Sequence, residues 1–374
     1  CQGVRRPRLC RRSPVRPPAP PKQLTVLTRA CGAPSSPRPV ASVRKPEAFA
    51  SEESPAAAPL EIVDTQAVDA AVATAPLPLC DFEVSEDMQI MEAVTTLQAT
   101  VDNAPPGTIL VLPPGSYTGS GERVLAISKD ITIKACNSGM TTLDGEGIRP
   151  VVAVASSAVA AFHGLRIMRG RTTGPHQGGG VIVTNATATF DSCIIQGNQA
   201  GAVRNVFHAV LSSNVRGLLH ELQLGFGGGV LVVGGTATFD SCTIHENDAL
   251  LCGGGVTVLG GTVTMSTCNV SDNTADDGGG IYIAGSSSQV AVTNSQIYGN
   301  AADVIGPLPG HGGGLYIASG KLTVSDSHIR GNSAEQLVDA LYVSSGSIAT
   351  LDCSNTISGH VTGATCPPAA TCEW

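Results

Sequence analysis

Three of the chain's five tyrosines, Tyr282, Tyr316 and Tyr342, recur at one place in a repeated pattern. Asp276, Asp277 and His311 lie a few residues ahead of the first two. A phenol ring joins an apolar face to a polar tip, which suits a sugar ring or a protein partner. Carboxylate and imidazole groups can hold and move protons, so Asp276, Asp277 and His311 are the catalytic candidates and the three tyrosines the binding candidates. Other chemistries lack their signatures. There is no Walker loop, no HExxH zinc motif and no Gly-x-Ser-x-Gly elbow. No CxxC pair exists, so a zinc ribbon is not expected. His163, His208, His220 and His245 are scattered and read as surface residues. No metal and no cofactor is expected.

The elements that must position these residues are repeats. Units end on Asn198, Asn247, Asn273, Asn300 and Asn332, with His360 in that place in a sixth, and the intervals between the Asn residues are 49, 26, 27 and 32. Each unit opens on a glycine triplet, at Gly178, Gly227, Gly253, Gly278 and Gly312, and the last opens on Asp339-Ala340. Apolar residues fall ten, eight and three positions before each Asn: Ala188, Phe190 and Ile195 in the first unit, Leu322, Val324 and Ile329 in the fifth. A fixed period with two-residue alternation predicts a solenoid of short strands. We expect three strands per unit, one turn of a parallel β-helix, with like positions stacked into ladders. The terminal Asn residues should take the left-handed bend and form amide ladders. The middle residue of the strand after each triplet should face outward: Ile182, Leu231, Thr257, Tyr282, Tyr316 and Tyr342. Residues 201–224 lack a triplet and have helix-like spacing, so one coil plus an inserted helix or loop is preferred over two coils.

Composition agrees with strands. Aromatic residues are 3% and charged residues 14%, while glycine numbers 44, which suits stacked strands and tight turns better than a helical enzyme. No apolar run is long enough to span a membrane. Residues 1–46 carry 11 of the 22 Lys and Arg residues and none of the 30 Asp and Glu. Fourteen of the 24 prolines precede residue 79. Residues 1–79 therefore read as a disordered basic arm, a targeting segment or a plain tail. The chain starts with Cys1, so its true start is expected upstream. The acidic body argues against nucleic acid as a partner.

A helix is expected over 88–103, where Met88, Met91, Val94, Leu97 and Val101 share one face and Pro105-Pro106 follow. It would cap the first coil. Here LQATVDNAPPGTILVLPPGSYTG, LAISKDITIKA and TTLDGEG follow in that order, and the chain resembles the pectin-lyase-like right-handed β-helix superfamily. Units such as GGGVIV…FDSCIIQGN resemble repeats of polymorphic outer-membrane proteins, except that Phe190 stands eight residues before Asn198 rather than three. The resemblance covers about 86–363 and implies fold far more than activity. Lyases of that superfamily use calcium and a basic residue. Residues 178–374 hold only Arg204, Arg216, Lys321 and Arg330, too few to grip a polyanion. Polygalacturonases pair carboxylates about 5 to 9.5 Å apart and add a His-Gly element. Asp276-Asp277-Gly278 and His311-Gly312 resemble those parts, but the family's Asn-Thr-Asp element is missing, and the two Asp read better as solvated turn residues.

Cys193, Cys242 and Cys268 occupy one position of the repeat, taken by Ser295 and Ser327 later. A Cys242–Cys268 bridge is geometrically allowed, but reduced packing thiols are preferred. Cys366 and Cys372 could close a small loop. Asn185-Ala186-Thr187 and Asn269-Val270-Ser271 are glycosylation sequons if the chain is secreted. Organelle targeting and a secreted or cell-surface location both remain open. The expected architecture is all-β: a right-handed single-stranded parallel β-helix at 80–363 with an N-terminal capping helix, and a tail at 364–374. The expected function is a non-catalytic scaffold that binds a polysaccharide or a protein surface. A polysaccharide hydrolase or lyase is the alternative, and a purely structural surface component is a third class.

Overall fold

The computed structural model describes residues 80–365, apart from 84, 86, 92–95, 173–177, 202–224, 304–309 and 336–337. The basic arm, the candidate insertion beyond Gly201, Val94 and the pair Cys366 and Cys372 lie outside the described residues. Every strand pairing in the four sheets is parallel, and each coil pairs with the coil before and after it. Among the described residues the sheets hold ten, nine, nine and six strands. This is a parallel β-helix.

One coil shows the plan. Strand Val181–Thr184 is followed by Thr187–Asp191, then Ile194–Gln196, then the two-residue strand Gln199–Ala200. Three strands per unit were expected, and the fourth was not. Two residues past each Asn extend far enough to pair with the next coil before the glycines turn the chain. Val181 lies opposite Val230 in the next described coil.

The interior is built by alternation. Val181 and Val183 are fully buried, as are Val230 and Val232 one coil on. Phe162, Phe190 and Phe239 stack with centroids 4.9 and 5.0 Å apart and planes 8° from parallel. Met265, Val292, Val324 and Leu351 continue that column. The glycine triplets are tight because two coils close on them. A Cβ at Gly228 would stand 2.5 Å from the carbonyl oxygen of Asp248 and 2.6 Å from that of Gly254.

The Asn ladder forms as expected. The Nδ2 of Asn198, Asn247, Asn273 and Asn300 each donates to Oδ1 of the next Asn, at 3.0, 3.0, 2.9 and 3.0 Å. The backbone N–H of each donates to the same oxygen. Each Nδ2 also donates to a carbonyl of the preceding coil, as Asn273 does to Ile244 at 2.9 Å. The left-handed bend falls one residue earlier than expected. Gly197, Glu246, Asp272, Gly299 and Gly331 have φ of +60, +55, +56, +66 and +60°. The Asn side chain is thereby left free of the bend and aimed along the stack.

A second column carries the thiols. Cys193, Cys242 and Cys268 are buried and free. Cys193 N–H faces the Cys242 sulfur at 3.4 Å, and Cys268 N–H donates to Ser295 Oγ at 3.0 Å. Ser295 N–H donates in turn to Ser327 Oγ at 3.1 Å. Thiol and hydroxyl do one job here, accepting an N–H from the coil before. Hydrogen bonding to Cys193 together with burial pushes the Cys242 thiol up to about 12, and hydrogen bonding to Cys242 with burial raises Cys268 as well.

The amino-terminal helix is shorter than expected. Met88–Ile90 is a strand that pairs with Thr108–Leu112 and starts the first sheet. The helix spans Leu97–Asn103. Thr96 caps it by accepting from Ala99 N–H at 3.3 Å, and Leu97 and Val101 pack into the barrel core. Met88 fits the helical spacing, but three residues of edge pairing hold it extended. The described bridge, Cys80–Cys136, was not foreseen. It fastens the segment before the first coil. Asp81 accepts there from Asn137 Nδ2 at 2.8 Å, and Lys134 lies over the Phe82 ring at 3.5 Å.

Two outcomes are expected. Asn273→Ala orphans buried groups on two neighbouring coils, each worth about 1–3 kcal/mol. In urea unfolding it should cost clearly more than Asn332→Ala at the end of the ladder. Equal losses would mean the ladder does not act as a continuous column. The raised thiols keep their protons in the fold and ionise in the unfolded chain. Their stabilisation is complete below the ordinary value of 9.0 and fades as pH rises toward 12, by up to about 1.4 kcal/mol per pH unit for each thiol. A Cys242→Ser, Cys268→Ser double variant, measured in reductant at pH 7, 9 and 10.5, should lose less stability across that interval than the parent.

Candidate functional site

The strands that follow the glycine triplets stack into a nine-stranded sheet. Their middle residues form one register: Ile182, Leu231, Thr257, Tyr282, Tyr316 and Tyr342. The flanking residues fill the barrel, so this column faces away from the interior, as alternation requires. A second column runs beside it just ahead of the triplets. Phe226 bridges Cys252, and Cys252 bridges Asp277. Gly278 N–H then donates to the carbonyl of His311 at 2.9 Å.

The column is not open along its whole length. Ile182, Leu231, Thr257 and Tyr282 are buried, and Tyr282 is only 4% exposed. Phe226, Leu250, Leu251 and Cys252 pack over them in a cluster separate from the barrel core. Tyr282 therefore does not lie on the open surface expected of it. The apolar residues ahead of the triplets at Gly227 and Gly253 are the signal for this cover, and reading each unit from its triplet onward misses them. Tyr316 and Tyr342, beyond the cover, are half-buried.

The three rings touch in sequence. Tyr282 and Tyr316 have centroids 5.3 Å apart at 80°, and Tyr316 and Tyr342 are 5.0 Å apart at 76°. These are edge-to-face contacts, which the ring quadrupole favours, rather than the parallel stack of the core phenylalanines. His311 joins them, 4.8 Å from Tyr342 and 6.1 Å from Tyr316. Burial pushes the phenols of Tyr282 and Tyr316 above their ordinary range. Ser344 Oγ donates to Tyr316 Oη at 3.3 Å and moderates the second shift.

The acidic candidates separate. Asp277 and His311 come together: His311 N–H donates to Asp277 Oδ1 at 3.1 Å, and its ring Nδ1 lies 3.4 Å from the same oxygen. Their side chains are 19% and 31% exposed. Asp276 is 1% exposed. It is not the solvated turn residue expected: it sits in the bend after strand Thr274–Ala275 and is covered together with Ala275. Asp276 and Asp277 thus do not present two carboxylates on one open surface, as a glycosidic bond requires. Among the described residues no group of three or more His, Cys, Asp or Glu is placed to hold a metal ion. No described helix is long and apolar enough to cross a membrane.

Residues 179–362 match the family model described as "Right handed beta helix region". The parallel coils of the structure agree with that description, and the fold is a right-handed parallel β-helix. No curated protein sequence matches the chain. Among solved structures, a pectate lyase aligns at 15% identity and a TM-score of 0.45, over 73% of this chain and 75% of that one. A pectin methylesterase in complex with a hexasaccharide aligns at 12% identity and a TM-score of 0.35, over 75% and 81%. Both likenesses are remote.

Proposed function

We propose that this right-handed β-helix is a non-catalytic scaffold that binds polysaccharide where the tyrosine column leaves its cover. The observation that carries this reading is the run of edge-to-face rings from buried Tyr282 to half-buried Tyr316 and Tyr342, with Asp277 and His311 at the side. A ring held by its neighbour loses little freedom when a ligand packs on it. Tyr282 supports the other two from beneath the cover. A protein surface is the second possible occupant of the same rings.

The hydrolase or lyase reading has one observation in its favour, the Asp277–His311 contact, since a carboxylate beside an imidazole can relay a proton. The burial of Asp276 weighs against it, as does the scarcity of basic side chains near the rings. Binding without bond cleavage is the simpler use of this surface.

The test is retention on immobilised polysaccharide, scored together with released reducing and unsaturated ends. Tyr316→Ala and Tyr342→Ala should each weaken retention about tenfold, the worth of one aromatic contact, with little change in thermal midpoint. Tyr282→Ala should instead destabilise the fold by about 3–5 kcal/mol, as emptying a buried aromatic site does. Retention that survives both outer substitutions would remove the reading, and released ends that vanish in Asp277→Asn would establish the enzyme instead.

A further inference from the structure

The charge around the rings narrows the ligand. Among the described residues, the coil segments that carry and flank Tyr282, Tyr316 and Tyr342 are 276–288, 303, 310–320, 335, 338–347 and 359–363. They contain Asp276, Asp277, Asp303, Glu335 and Asp339, the imidazoles His311 and His360, and no Lys or Arg. From 276 to 363 the basic residues are Lys321 and Arg330. Lys321 begins a strand of the ten-stranded sheet. Arg330 belongs to the sheet of Ile194–Gln196, where it lies over the Tyr298 ring at 5.1 Å and donates to Gln296 Oε1 at 3.1 Å. Neither stands on the tyrosine sheet.

We infer that the tyrosine face selects an uncharged polysaccharide and rejects uronate polymers. The inference rests on the glycan-binding reading above and specifies it. A uronate chain brings one carboxylate per residue. Laid along Tyr316 and Tyr342, it would set those carboxylates beside Asp277, with no arginine or lysine among the described residues of that sheet to neutralise them. Like charges at contact distance in a half-buried site repel strongly. A neutral chain meets no such barrier. Its C–H faces pack on the rings, and its hydroxyls can donate to the Asp277 carboxylate, which accepts only. A ligand held this way gains nothing from long-range attraction, so its affinity should be nearly flat with ionic strength.

The full chain is titrated with a soluble mixed-linkage glucan, a xylan, polygalacturonate and chitosan, in EDTA so that no divalent ion bridges carboxylates, at low and at moderate salt. The expected result is binding of glucan or xylan at least tenfold tighter than polygalacturonate, changing less than twofold with salt. Asp277→Asn, checked for an unchanged thermal midpoint, should narrow that gap by strengthening polygalacturonate binding. Polygalacturonate bound as well as or better than the neutral chains overturns the inference. Chitosan preferred over both, with steep salt dependence, also overturns it and points to a cationic ligand. In either of those cases, loss of binding in Tyr316→Ala leaves the glycan-binding reading standing. Failure to bind any of the four polymers overturns both.

Discussion

The structure depends on one constraint: each coil must lie over the next in register, because the groups at its bends can be satisfied only by the coil above or below. A strand in a hairpin can slip and find new partners. A buried Asn here has its Oδ1 taken by two N–H groups of the preceding coil, while its Nδ2 reaches one carbonyl behind and one amide ahead. Shifting a coil by one residue would break all of these at once and turn the interior valines outward. The glycine triplets enforce the same spacing by sterics, since no Cβ fits between the closing carbonyls. The Cys and Ser column repeats the device at the other bend. Hydrogen bonding of the bends and burial of the Val, Ile and Phe columns thus favour one winding.

That constraint explains what could be read from residues and what could not. Periodic positions write themselves into the chain once per coil, so the Asn ladder, the inward columns and the outward Tyr register were all visible from spacing. The errors came where a residue's fate is decided by something that does not repeat. Met88 has helical spacing with Leu97 and Val101, yet pairing with Thr108–Leu112 makes it a strand. The two-residue strands lie below the length at which alternation is recognisable. Tyr282 sits in the same register as Tyr316, and only the cover from Phe226, Leu250, Leu251 and Cys252 distinguishes them. Asp276 and Asp277 look alike in the sequence, yet the bend that holds them covers one and leaves the other beside His311. Cys80 and Cys136 stand outside the repeat, so no column pointed to their pairing.

The outer face gains a direction from this cover. Along one register the residues run Ile182, Leu231, Thr257, Tyr282, Tyr316 and Tyr342, and along the neighbouring one Phe226, Cys252, Asp277 and His311. Both columns pass from apolar to polar in the same sense. The apolar end needs a lid and has one. The polar end tolerates water and is left half-open. An identical backbone therefore carries a second small core over its early coils and a half-open row of rings over its later ones, with Tyr282 at the join.

For the proposed binding role that join matters, because it orients the half-buried rings before any ligand arrives. Tyr282 is fixed from above by its cover and meets Tyr316 edge-on, and Tyr316 in turn meets Tyr342. Orientation is thus passed outward from a buried ring to half-buried ones, and Ser344 and His311 hold the outer pair from the sides. A row of equally exposed tyrosines would pay for its own alignment on binding, whereas a row anchored at one end has settled most of that cost during folding. The same anchoring argues against a role as mere stiffener. The parallel hydrogen bonds of the sheet already fix the strands, and rings needed only for rigidity would gain more by lying wholly under the cover, as Tyr282 does.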